Sequence, residues 1–259
     1  MGRAADDGRA TGPACRFLPN VRDLGGIACE GGMTRYHRFL RSASPSSATA
    51  SDFDALFDWG VRHVVDLRGS SESPEQSRFA HLPWVRWKNV ALFDVDVTAR
   101  LETGAVRTDN YLVSSYLSML SNLRPMREVF EFFAEVPQGE CALFHCAAGM
   151  DRTGMVSMLL LGLAGASRHG IIVDYCRSFA QTSAIEAALA APQAKPDRKS
   201  RRKDKRTNVT SYLLGVRLDA ISCVYDRLLE RFGNTEGYLE ACGVPQDVRV
   251  AVAAHLTEE

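Results

Sequence analysis

His145-Cys146-Ala147-Ala148-Gly149-Met150-Asp151-Arg152-Thr153-Gly154 joins two apolar runs of different character. Residues 140–145 before the turn are short, apolar and bounded by Pro137 and Gly139, which reads as a buried strand. Residues 153–164 after it are apolar almost all round, which reads as a buried helix. Earlier in the chain, strand-like and helix-like runs alternate. The prediction is an α/β fold with a central, mostly parallel sheet flanked by helices.

A turn between a buried strand and a helix start aims several backbone N–H groups into one concavity. The helix adds a partial positive charge, so the place suits an anion. Ala147, Ala148, Gly149 and Met150 supply that backbone, and Gly149 permits a tight turn because glycine tolerates positive φ. Arg152 brings a planar fork matched to two phosphate oxygens. Cys146 lies in the same positive field, which favours the thiolate, the nucleophilic form of cysteine. Thr153 is expected to donate a hydrogen bond to the sulfur. His145 is expected to orient the turn through backbone bonds rather than to act as a base.

The chain has 259 residues, 46% of them hydrophobic, enough for one substantial core. A single domain over 15–259 is expected, preceded by a disordered Gly/Ala/Asp/Arg-rich segment, 1–14. Formal net charge is zero, but 195–206 holds eight basic and two acidic residues. This run reads as a flexible insertion at about 192–207, with a weak contact to anionic partners as its other reading. The remaining body is mildly acidic, so no nucleic acid is expected. Seven scattered cysteines without paired spacing point to a reducing compartment, and a cytoplasmic location is expected. No apolar run reaches membrane-spanning length. His37, His63, His81, His169 and His255 show no metal-ligand spacing, and neither metal nor cofactor is expected.

Elsewhere, 26–41 reads as a hairpin turning at Glu30-Gly31-Gly32. Ser51 is expected to cap a helix over 52–59 that Gly60 ends. Strands are expected over 61–67 and 84–90, and a polar loop over 94–108. Helices are expected near 109–121, 125–136, 182–191, 209–231, 235–241 and 245–256, and Ser167 caps another.

The run His145 to Gly154 resembles the signature of the protein tyrosine phosphatase superfamily. It is nearest to the bacterial branch whose loop usually reads His-Cys-x-x-Gly-Lys-Asp-Arg-Thr-Gly. Five further segments resemble that branch in order: Asn20-Val21-Arg22-Asp23-Leu24-Gly25-Gly26, Phe39-Leu40-Arg41-Ser42-Ala43, Val64-Val65-Asp66-Leu67-Arg68 with Glu72, Asp174-Tyr175-Cys176-Arg177-Ser178, and Gly237-Tyr238-Leu239 with Gly243. The resemblance implies a cysteine-dependent phosphatase fold and hydrolysis of phosphomonoesters, phosphotyrosine in proteins first, through a phosphocysteine on Cys146. It also implies that Asp151 is the general acid. Asp94 and Asp96 are the alternatives, while Asp109 reads as a helix cap. One departure is Met150, where the branch usually has a lysine. Its missing cation weakens the case for highly charged substrates such as phosphoinositides, which remain the second reading. A rhodanese-type sulfurtransferase also uses a loop cysteine, but its loop and flanks differ. A phosphate-binding module without catalysis is the third reading. Arg68 is expected either to support the loop and substrate or to pair with Asp66 or Glu72. Arg22 and Asp23 either line the site or pair structurally near the first hairpin.

Overall fold

A computed structural model describes residues 12–72, 74–93, 108–179 and 205–257, except for the side chains of 108–110 and 205–214. A five-stranded sheet runs β1 (Arg22–Asp23), β4 (Phe39–Ser42), β7 (Cys141–His145), β5 (Val61–Asp66), β6 (Arg86–Asn89). β1 is antiparallel to β4, and every other pairing is parallel. All five residues of β7 are buried, as a central parallel strand requires. Its side chains alternate between two cores. Cys141 and Leu143 join a smaller cluster with Leu40, Val64, Phe53 and Phe79. Ala142 and Phe144 face the larger one with Phe39, Val65 and Phe133.

The smaller cluster is covered by α1 (Ala50–Asp58). The larger is covered by α2 (Thr108–Ser121), α3 (Leu123–Ala134), α4 (Asp151–Leu163), α5 (Arg168–Cys176), α6 (Lys205–Phe232), α7 (Thr235–Ala241) and α8 (Gln246–Leu256). α4 is buried from Asp151 to Leu161. Its apolar surface is continuous because α2, α5, α7, α8 and the sheet all pack on it. The expected α/β architecture is therefore present.

Three local expectations change. The hairpin is confined to β2 (Ala28–Cys29) and β3 (Gly32–Met33), and the residues that follow supply β4 to the main sheet. Thr49, not Ser51, caps α1: Asp52 Oδ2 accepts from the Thr49 amide at 2.7 Å and from its hydroxyl at 2.8 Å. The helix after the turn begins at Asp151 rather than at residue 153, because Gly154 already donates to the Met150 carbonyl at 2.7 Å. The basic run ends inside α6, which opens at Lys205. Expectations for 1–11, 94–107 and 180–204 lie outside the described residues, Asp94 and Asp96 included.

Candidate active site

Three parallel strands end in register. Ser42 of β4 and Asp66 of β5 both stand opposite His145 of β7. Residues just beyond these ends therefore gather at the carboxyl edge of the sheet, where α/β folds place their ligands. Ala43, Leu67 and Cys146 come together this way. Ser44 N donates to the Ala147 carbonyl (2.9 Å) and Leu67 N to the His145 carbonyl (2.8 Å).

The loop from Cys146 to Met150 is held from outside by its carbonyl oxygens. Asn20 Nδ2 donates to Ala148 O (3.2 Å) and Gly149 O (3.0 Å). Arg41 Nη2 donates to Gly149 O (2.9 Å). In a trans peptide the N–H points opposite to the C=O. With the carbonyls of Ala147, Ala148 and Gly149 pulled outward, the amides of Ala148, Gly149 and Met150 turn inward. Gly149 has φ +70°, and a Cβ there would stand 2.5 Å from the Ser42 carbonyl. Only glycine meets both conditions.

Beneath the loop lies a buried ionic cluster. Asp174 accepts from Arg22 Nε (2.9 Å) on Oδ1 and from Arg41 Nη1 (2.6 Å) on Oδ2. Ser178 Oγ accepts from Arg22 (2.9 Å) and from Arg41 (3.2 Å). Burial alone would raise the Asp174 carboxyl, but the two arginines outweigh it and hold it below the ordinary range. Arg41 is fully buried and is pushed down to about 10, by burial first and then by Arg22. Arg22 is thus structural. So is Asp23, which accepts from the amides of Gly25 (2.7 Å) and His37 (2.8 Å) and from Trp59 Nε1 (3.1 Å).

Arg152 is buried at the first turn of α4. Glu72 grips it in a fork, Oε2 to Nη1 and Oε1 to Nη2 (2.9 Å), while Phe93 O accepts from Nη1 at 3.3 Å. Burial would raise the Glu72 carboxyl, but Arg152 outweighs it and lowers it. Arg68 turns to Asp66, donating from Nε (3.0 Å) and Nη2 (2.7 Å), and reaches only the Glu72 backbone carbonyl, at 3.4 Å. Of the two expectations for Arg68, the geometry shows the pairing with Asp66. His145 sits between these parts, with Nδ1 3.1 Å from the Cys146 carbonyl and Nε2 3.6 Å from Asp66. Burial pushes its imidazole below the ordinary value, more than Asp66 raises it. A neutral ring bonded to the backbone fits the orienting part expected for it.

Cys146 is 3% exposed at the floor of the loop. Cys141 packs into the opposite cluster, so the two thiols face away from each other. Thr153 Oγ1 is buried and has no polar partner among the described residues. The expected hydroxyl–sulfur bond is therefore not made in this structure. Met150 is half-buried and places no cation at the loop.

Asp151 is 5% exposed and lies where α2, α4, α5 and α6 meet. Its Oδ1 accepts from the Tyr116 hydroxyl and from Arg217 Nη1 at 2.8 Å. Tyr116 also shares a hydrogen bond with the Tyr175 hydroxyl. Burial first, then the Asp151 charge, pushes both phenols up, so both stay protonated. Sequence reasoning found Asp151 but missed Arg217 and Tyr116. Nothing in the surrounding helical runs marks either one.

The sheet edge thus carries a buried thiol, Cys146, at the start of a loop whose carbonyls are tied outward, with the Glu72-bound Arg152 following in α4, and this defines an α/β protein with a thiol at its strand-end loop. From residue 14 to residue 258 it matches the model of the tyrosine phosphatase family, and the chain belongs to that family. It is 34% identical over 168 residues to a Cupriavidus necator protein named as a candidate tyrosine-protein phosphatase, covering 62% of this chain and 60% of that one. It is 30% identical over 173 residues to a tyrosine-protein phosphatase of Nostoc commune, covering 65% and 53%. A triple specificity protein phosphatase of Mycobacterium tuberculosis is 25% identical over 266 residues, 90% and 95% of the two chains. The chain thus spans between half and two thirds of the first two relatives.

Proposed function

We propose that this protein hydrolyses phosphomonoesters, phosphotyrosine in proteins first, through a phosphocysteine intermediate. The observation that carries the proposal is the loop: its carbonyls are tied back by Asn20, Arg41 and Ser44, and Cys146 lies at its floor. The inward amides and Arg152 bind the equatorial phosphate oxygens and match the charge that develops there. Glu72 fixes the guanidinium plane. Cys146 Sγ then forms the S–P bond as the P–O bond to the tyrosine breaks, and Asp151 protonates the departing phenolate. Water next attacks phosphorus, Asp151 takes its proton, the S–P bond breaks, and inorganic phosphate leaves. No metal enters the scheme.

The first test is phosphate release from a phosphotyrosine peptide without added metal. Wild-type protein is expected to turn over and Cys146→Ser to fall to background. A folded wild type without activity would leave the reading as a binding module. The acid role has its own test. Asp151→Asn should lose about 10²-fold or more on phosphotyrosine and far less on activated aryl phosphates. The ion pair to Arg217 favours a second reading, in which Asp151 only anchors α6. An equal loss on both substrate types would select it.

Likeness to a triple specificity phosphatase supports substrates beyond phosphotyrosine. Met150 adds no charge for further phosphates, so phosphoinositides rank second. Release from phosphoinositide vesicles, compared with the peptide, decides the order. We further propose one domain over 15–259, a weak anionic contact through 195–206 and a cytoplasmic location. All seven cysteines are free thiols, which supports the last point. No helix of the described residues is long and apolar enough to cross a membrane. Cell fractionation tests the location.

A further inference from the structure

The C-terminal ends of α2 and α6 leave a groove between them. Its cavity is about 460 Å³, lined by Leu117, Leu120 and Leu123 on one side and by Leu228 and Phe232 on the other. Leu228 stands about three turns beyond Arg217 on α6, roughly 16 Å along the axis, so the groove is outside the candidate active site. Its walls are built before any partner arrives. Tyr238 of α7 donates to the Leu120 carbonyl (3.0 Å) and packs edge-on against Phe232, with ring centroids 5.3 Å apart. Leu123, at the start of α3, is 37% exposed and lines the groove. The rim carries charge. Arg227 and Arg231 are exposed, line the groove and lie one helical turn apart, so they share a face of α6. Exposed arginines on neighbouring helices are paired: Arg124 with Glu128 (3.0 Å), Arg127 with Glu131 (2.7 Å) and Arg168 with Asp226 (2.7 Å). Arg227 and Arg231 have no ion pair among the described residues. Arg231 lies over Phe232 instead, 5.2 Å from the ring centroid.

An apolar floor with two unpaired cations on one rim calls for an occupant of the opposite pattern. We propose that the groove between α2 and α6 docks a short acidic segment of a partner protein. One Leu or Phe side chain of that segment fills the groove, and its carboxylates meet Arg227 and Arg231. Short segments are commonly recognised this way, by an apolar anchor in a preformed groove. The anchor supplies most of the energy, and the arginines select the charge. An anionic membrane fits less well. It meets a wide face, and α6 and α7, which border the groove, also expose Glu230, Glu236 and Glu240. Those carboxylates repel an anionic bilayer. A short peptide reaches the two arginines alone. The inference concerns binding only and does not depend on the proposed catalysis.

The probe is a fluorescein-labelled peptide reading Glu-Asp-Phe-Leu-Glu-Asp, titrated with the full chain and followed by fluorescence anisotropy. Saturable binding is expected. The double variant Arg227→Glu, Arg231→Glu should weaken it about tenfold or more, and replacing the peptide's Phe and Leu by Ser should weaken it about as much. Leu123→Asp, on the opposite wall, should weaken it several-fold, and so should raised salt. The replaced protein side chains are all exposed, so the variants should melt as the wild type does, and melting curves check this. No saturable binding to the folded full chain would overturn the docking site. So would binding that the arginine reversal and Leu123→Asp both leave unchanged. Capture by phosphatidylserine vesicles, lost in the arginine reversal, while the peptide fails to bind, would overturn it in favour of a membrane surface.

Discussion

The two ends of the phosphate loop are held in different ways. The Cys146 end is fixed by its backbone: strand ends lie in register, a glycine takes a strained turn, and the loop carbonyls are drawn outward by Asn20, Arg41 and the Ser44 amide. The Asp151 end is fixed by side chains from α2 and α6, which come from distant parts of the chain. Under the proposed function, Cys146 is a nucleophile and needs one unmoving location, which a strand end provides. Asp151 is there proposed as an acid that changes its protonation state, and adjustable side-chain partners suit that task. The difference predicts that damage to the first end reaches stability and activity together, while damage to the second is selective for chemistry.

The largest effect on the first end is expected from Asp174→Asn. It leaves Arg22 and Arg41 buried without their counter-charge, at a cost of about 3–5 kcal/mol at neutral pH by urea unfolding. The pH dependence has a defined sign. The Asp174 carboxyl is lowered in the folded state, so its contribution is complete above about pH 4, the ordinary carboxylate value. That contribution disappears as pH falls through the folded value. The gap between wild type and variant should therefore narrow in acid. A constant gap would mean that Asp174 is not ionised in the fold.

Gly149→Ala comes next. Positive φ and a 2.5 Å approach to the Ser42 backbone together should cost about 2–4 kcal/mol, with activity on phosphotyrosine falling in the same preparation. Normal stability with lost activity would place the strain in the site alone and break the proposed coupling. The smallest effect sharpens the comparison at the boundary between the ends. Glu72→Gln keeps one acceptor for Arg152 but loses the charge and the second acceptor of the fork. It should lower kcat/KM about tenfold, mostly through KM, with little change in melting temperature.

Much of the first end was legible in the sequence. Cys146, Gly149 and Arg152 are close in the chain, and the passage from a short apolar run to a longer one that is apolar almost all round announces the turn. The motifs at Asn20–Gly26, Arg41, Glu72 and Asp174–Ser178 were visible as resemblances, but their joint task was not. Asn20 and Arg41 tie back loop carbonyls, while Asp174 and Ser178 receive Arg22 and Arg41 beneath it. Arg68 shows the limit from the other side. A strand-end arginine fits a substrate contact and an ion pair equally well by its position, and the distance to Asp66 is what separates them.

The sequence by itself determined the strand–loop–helix unit and the layered α/β architecture, because these depend on residue type and on apolar patterning within a few turns. Tertiary structure alone decided that Arg217 and Tyr116 meet on one oxygen of Asp151. That meeting depends on where α2 and α6 cross α4, which is set by packing around a core helix buried on nearly every side. An arginine or a tyrosine in a long amphipathic helix carries no local mark of the residue it will face.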